Sequence, residues 1–214
     1  MNNNQTKSKQ RVADHGEVFT AEREVNAMLD LVKHESERIE SRFLEPACGN
    51  GNFLAEVLRR KLATVTARYA KSAFEYGYNA VLAVSSIYGI DILQDNAKAC
   101  RERLSGIFND FYQKTYKADT PPECAASVTY ILEKNIVWGD ALDLKRVDGS
   151  GEAIVFSEWS PVKGFMLQRR DFRFDSLTNG DLPLFSDNGE NVMIPEPVKG
   201  DYPATHYLEI MRYG

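Results

Sequence analysis

Three short apolar runs, each closed by a carboxylate and each separated from the next by helical sequence, constrain this chain more than any other feature. They are Phe43-Leu44-Glu45, Ile87-Tyr88-Gly89-Ile90-Asp91 and Ile136-Val137-Trp138-Gly139-Asp140. Continuous apolar runs of this kind read as strands covered on both faces. Between them the period changes to that of a helix. From Asn52, the residues Phe53, Leu54, Val57, Leu58, Leu62 and Val65 share one face. A second helix is expected over residues 71–86. A third, over 93–112, turns Ala97, Cys100, Leu104, Ile107, Phe108 and Phe111 inward. Residues 120–124 read as a breaker and 125–135 as a short helix. Ahead of the first strand, residues 19–37 read as one amphipathic helix, with Val25, Met28, Leu29 and Val32 inward and Thr20 as its cap. Strands alternating with helices predict an α/β chain, a parallel Rossmann-like sheet with helices on both faces.

Hydrophobic residues make up 43% of the 214 residues and charged residues 27%, enough for one domain with a substantial core. The polar start, MNNNQTKSKQR, lacks an apolar signal core, and no run reaches the length of a membrane span. A formal charge of -5 argues against a globally basic nucleic-acid binder but leaves room for a local basic patch. Three unpaired cysteines suit a reducing compartment, so the expected location is cytoplasmic. The three histidines are scattered, and no metal site is expected. The expected organisation is a mobile arm at 1–13, a ligand-binding domain at 14–145, and an extension at 146–214 holding a hairpin and an irregular tail.

In an open parallel sheet, ligands sit beyond the carboxyl ends of the strands. Glu45, Asp91 and Asp140 would then line one crevice. The turn after Glu45, Ala47-Cys48-Gly49-Asn50-Gly51, has two glycines but lacks the third of a dinucleotide fingerprint. An acid just before the loop disfavours a pyrophosphate and suits a cationic group. Ribose, adenine and a sulfonium centre together describe S-adenosylmethionine. The bland readings stand beside this one: a Gly-x-Gly turn that is only a turn, Asp91 as a helix cap, and Asp140 as a solvated loop residue.

FLEPACGNGNFL, with HGEVFTAEREVNAML ahead of it, resembles the first cofactor motif and upstream segment of adenine-specific DNA N6-methyltransferases of restriction–modification systems. IYGIDILQDNAKACRERL and NIVWGDALD resemble their second and third motifs. The family usually has Thr-Pro where this chain has Thr20-Ala21. The resemblance covers residues 14–143 and implies roles by position. Phe19 and Thr20 would border the methionine end of the cofactor. Glu45, Ala47, Gly49 and Gly51 would wrap its amino-acid and ribose portions. Asp91 would accept from the ribose hydroxyls with Ile92 against the adenine, and Asp140 with Ala141 would meet the adenine amino group.

The family holds its flipped base with an Asn or Asp, two prolines and an aromatic residue. This chain has no such tetrapeptide; its one double proline, Pro121-Pro122, lies before the third motif. Ile154-Val155-Phe156 is the position for a fourth strand, which would bring Glu158, Trp159 and Ser160 to the substrate as catalytic candidates. The pattern favours an ordinary hairpin there. QRRDFRF, residues 168–174, alternates basic and aromatic residues and reads either as a contact for phosphate or as a half-exposed strand, the latter favoured. The expected function is an S-adenosylmethionine-binding modification subunit or partial enzyme that methylates adenine N6 in DNA with a companion subunit. The alternatives are a non-catalytic regulatory relative and a methyltransferase for another substrate acting through residues 157–162.

Overall fold

The computed structural model describes Arg11, residues 20–178 and residues 197–213. The tail predicted as irregular falls largely outside the described residues. Helices α1 (Glu22–Leu31) and α2 (Lys33–Glu37) precede strand β1 (Phe43–Glu45). Helices α3 (Asn52–Tyr69) and α4 (Ala73–Ser85) lead to β2 (Ile87–Asp91). Then follow α5 (Gln94–Tyr116), α6 (Pro122–Asn135) and β3 (Ile136–Asp140). A two-residue strand, β4 (Lys145–Arg146), closes the sheet. The order is β1-β2-β3-β4, parallel across the first three and antiparallel at the last. The chain is thus α/β with a mostly parallel four-stranded sheet.

The helical stripe of α3 is buried as its spacing requires: Leu54, Val57, Leu58, Leu62 and Val65 are all fully covered, with Phe53 packed at the margin. Every residue of β2 is buried. Four local expectations change. The first helix breaks at Val32, and Met28 and Val32 stay 44% and 45% exposed, because only Val25 and Leu29 meet the core. Thr20 does not cap it; Ala21 occupies that place, and the Glu24 carboxylate accepts from the Ala21 N–H at 3.3 Å. Pro122 begins a helix rather than a breaker, since the first helical position has no use for an N–H. Ile154–Phe156 is not the sheet's fourth strand.

That segment belongs instead to a second, antiparallel sheet of β5 (Val155–Val162), β6 (Met166–Arg173) and β7 (Thr205–His206). The hairpin is the one the pattern favoured. It shares the main core, where Trp159, Leu167 and Tyr207 pack with the α3, α4 and α6 side chains. A buried ion pair fastens it: the Arg169 Nη2 lies 2.7 Å from the Asp171 Oδ2, and the same carboxylate accepts from the Ser157 Oγ at 2.7 Å and the Tyr202 hydroxyl at 3.1 Å. The arginines of QRRDFRF are all engaged, Arg170 with Asp201 and Arg173 with Asp175, so they present no unpaired stripe to phosphate. Arg11, in the segment expected to be mobile, pairs with Asp95 at 2.8 Å. Among the described residues, no helix is long and apolar enough to cross a membrane.

Candidate functional site

The carboxyl ends of β1, β2 and β3 open into one cavity of about 670 Å³, a size that suits a small-molecule ligand. Thr20, Glu45, Ala47, Gly49, Asp91, Ile92, Asp140 and Ala141 all line it. The parallel register brings all but Thr20 together from three places far apart in sequence. Phe19 lies outside the described residues. Gly51 does not line the cavity. It begins α3 at φ +83°, and a Cβ there would meet the Cys100 Sγ at 2.7 Å. Its work is to let the loop turn hard against α5.

Asp91 organises the loop. Its Oδ2 accepts from the Gly49 N–H at 2.8 Å, and its Oδ1 accepts from the Leu93 N–H at 2.9 Å and the Asn96 Nδ2 at 3.3 Å. Asp91 does not cap the following helix, because Leu93 holds the cap position without a side-chain bond and α5 starts at Gln94. A carboxylate offers about four lone-pair sites, so one remains for a ligand. Asp140 is arranged differently. Its Oδ1 accepts from the Leu142 N–H at 2.8 Å and the Asp143 N–H at 3.3 Å, and its Oδ2 takes no partner among the described residues. Glu45 is pushed above the ordinary carboxylate range by burial, partly offset by the Ala47 N–H.

Apolar surface completes the walls. Ile92 is 47% exposed, and its carbonyl is held by the Trp138 Nε1–H at 3.0 Å. Met28 and Phe53 line the other side. Asn52 Nδ2 donates to the Thr20 carbonyl at 3.2 Å, which ties the upstream segment to the start of α3. Arg103 donates to the side-chain oxygens of Asn50 and Asn52 and so braces the loop from α5. The site residues expected from sequence include neither Asn96 nor Arg103, and Met28 is expected in the core rather than at the cavity. Asn96 had a signal: it sits five residues after Asp91, one turn into the next helix. Arg103 had none, because its partners come from across the fold.

The cavity's described lining contains three carboxylates and no Lys or Arg. That charge pattern rejects a pyrophosphate and accepts a ligand rich in donors and positive charge. Glu158, Trp159 and Ser160 line a different cavity, which shares only Glu45 and Phe53 with this one. The sheet switch of the hairpin carries them away from the strand ends. Among the described residues, no group of three or more His, Cys, Asp or Glu side chains is placed to hold a metal. Comparison with protein-family models, with curated proteins and with solved structures finds no match.

Proposed function

We propose that the chain binds S-adenosylmethionine through a Rossmann-like methyltransferase half-sheet and serves a DNA adenine-N6 methyltransferase as a modification subunit or partial enzyme. The observation that carries this reading is the set of three strand-end carboxylates around one cavity lined by no described cation. Glu45 suits the ligand's ammonium. The remaining lone pair of Asp91 suits a ribose hydroxyl. The Oδ2 of Asp140 suits the adenine amino group, with Ile92 against the ring. When bound, the sulfonium supplies an activated methyl group. The chain's residues contribute position and exclusion of water, with no covalent step of their own.

A second reading, a non-catalytic regulatory relative, is favoured by one observation. The residues expected to face the substrate, Glu158, Trp159 and Ser160, line the neighbouring cavity. The companion-subunit reading answers this by placing the base-holding groups on a partner.

Calorimetric titration with S-adenosylmethionine separates the readings, followed by methyl transfer to unmethylated genomic DNA with and without the product of the neighbouring gene. Binding without transfer, restored by the companion, supports the partial enzyme. Binding with no transfer in either case supports the regulatory relative. Absence of binding removes both. Glu45→Ala and Asp91→Ala each weaken binding if the site is this cavity, and unchanged affinity in both places it elsewhere.

A further inference from the structure

The parallel sheet has a bare edge at β1, which pairs with β2 alone. The Phe43 N–H donates to the Ser86 carbonyl. The alternation of a parallel ladder therefore turns the Leu44 N–H and C=O the other way. Neither finds a partner among the described residues. Strand β5 is likewise the edge of its own sheet. The Phe174 N–H donates to the Ile154 carbonyl, which sets the phase of that ladder. Glu158 and Ser160 then bond to β6, and Ser157 and Trp159 face away. The Asn135 carboxamide oxygen takes the Ser157 N–H at 3.0 Å, whereas the Trp159 N–H and C=O find no partner among the described residues.

Both bare edges border one trough of about 820 Å³, with Leu44 and Glu45 on one wall and Glu158, Trp159 and Ser160 on the other. An Arg42–Glu158 ion pair bridges the walls. Trp159 is 5% exposed, and its indole Nε1 is buried with no acceptor. Bare strand edges are templates for an added strand, and buried donors without acceptors are costly.

We propose that this trough receives an extended, Lys- or Arg-bearing segment of a partner polypeptide, which pairs with β1 on one side and β5 on the other and joins the two sheets. Charge selects the occupant. Arg42 pairs with Glu158 and Arg38 with Glu35, and the lining carboxylates Glu40 and Glu45 have no ion pair among the described residues. Residues 179–196 of the chain itself carry four carboxylates and no Lys or Arg, the wrong sign for this trough. A second copy would present the same excess of carboxylates, again the wrong sign. This proposal goes beyond the cofactor reading and stands without it.

The test pans a phage-displayed library of random twelve-residue peptides against the full chain, without S-adenosylmethionine. Enriched peptides are then synthesised and followed by fluorescence anisotropy and amide hydrogen exchange. The expected peptides alternate β-formers with a Lys or Arg and slow exchange at both the Leu44 and Trp159 amides. N-methylating either set of alternate peptide amides weakens binding about tenfold or more, since each set serves one edge. Glu45→Gln weakens binding of the basic peptides. The proposal is overturned by no enrichment, by enriched acidic peptides, or by protection away from Leu44 and Trp159. It is also overturned if only one set of peptide amides matters. Protection already present in the free chain, lost on deleting residues 179–196 or on dilution, would assign the trough to the chain's own segment or to a second copy.

Discussion

Lys61 is fully buried in α3, on the stripe that otherwise holds Val57, Leu58, Leu62 and Val65. Its Nζ donates to the carbonyls of Ile39 and Ser41 and, at 2.6 Å, to the Ser86 Oγ. Burial pushes the amine down to about 7 from its ordinary value of 10.5. A base whose affinity for protons is lower in the folded state makes the unfolded state bind more protons between the two values. Stability therefore rises with pH from about 7 towards 10.5, and the gain is lost as pH falls to 7. Between pH 7 and pH 9 the gain is about 2 kcal/mol. Above pH 9 it is opposed, because burial raises the Cys124 thiol to about 12 and unfolding releases a thiolate. The comparison is Lys61→Met, which has no proton to exchange. It leaves the Ser41 carbonyl without its donor, while Ile39 keeps the Ser86 hydroxyl at 3.2 Å. At pH 9 the variant should therefore be less stable by ~1–3 kcal/mol. At pH 7 that deficit should shrink by about 2 kcal/mol, to within about 1 kcal/mol of zero. Urea unfolding of both proteins at pH 7, 8 and 9 measures this. Parallel pH profiles for the two proteins would refute the reasoning. They would mean that three oxygen acceptors hold the ammonium charged despite its burial.

Asp140→Asn keeps an oxygen for the Leu142 and Asp143 N–H groups but puts a donor where the Oδ2 stands. S-adenosylmethionine affinity should fall about tenfold by calorimetry, with the thermal midpoint unchanged. Gly51→Ala forces a Cβ onto φ +83° and to 2.7 Å from the Cys100 Sγ, and should cost ~2–4 kcal/mol in urea unfolding. Adding Cys100→Ala should return the steric part and leave the backbone part. Asp171→Ala takes the carboxylate from the buried Arg169 guanidinium and removes the acceptor of Ser157 and Tyr202. A loss of ~3–5 kcal/mol is expected by chemical denaturation, and Asp171→Asn should recover some of it.

The elements of the parallel sheet were legible because each obeys one period. The apolar runs at 87–91 and 136–140 are strands in which most residues are buried, and the α3 stripe is a buried helix face. What escaped depends on partners distant in the chain. Nothing local in Lys145-Arg146 marks a strand; it exists because the Gly139 and Asp140 backbone stands opposite. The docking of the hairpin rests on Arg169 reaching the Tyr130 hydroxyl at 2.5 Å and on Trp159 entering the core. Lys61 is an intermediate case. Its place between Val57 and Val65 put a lysine on the inward stripe in plain view, but only the three facing oxygens explain why it stays there. The site residues were legible to the extent that strand ends and glycines mark them. Gly51 kept its conformational reason and lost its ligand-facing one, since Cys100 was its true constraint.

Under the proposed function, Asp91 would join folding to binding in a way the other two carboxylates do not. It holds the Gly49 N–H of the loop, the Leu93 N–H just ahead of α5, and the Asn96 amide. With three of about four lone-pair sites committed to the protein, a ligand hydroxyl meets a carboxylate already fixed in direction. That pre-orders the acceptor and removes its freedom to follow a differently placed hydroxyl. It also means that loop order and affinity cannot be separated by substitution at Asp91. At Asp140 the turn uses one oxygen and leaves the other without a partner among the described residues, so there they can. A ligand that depends on this cavity should accordingly lose affinity together with stability at Asp91 but lose affinity alone at Asp140. A loop held for folding only would lose stability at Asp91 and nothing at Asp140.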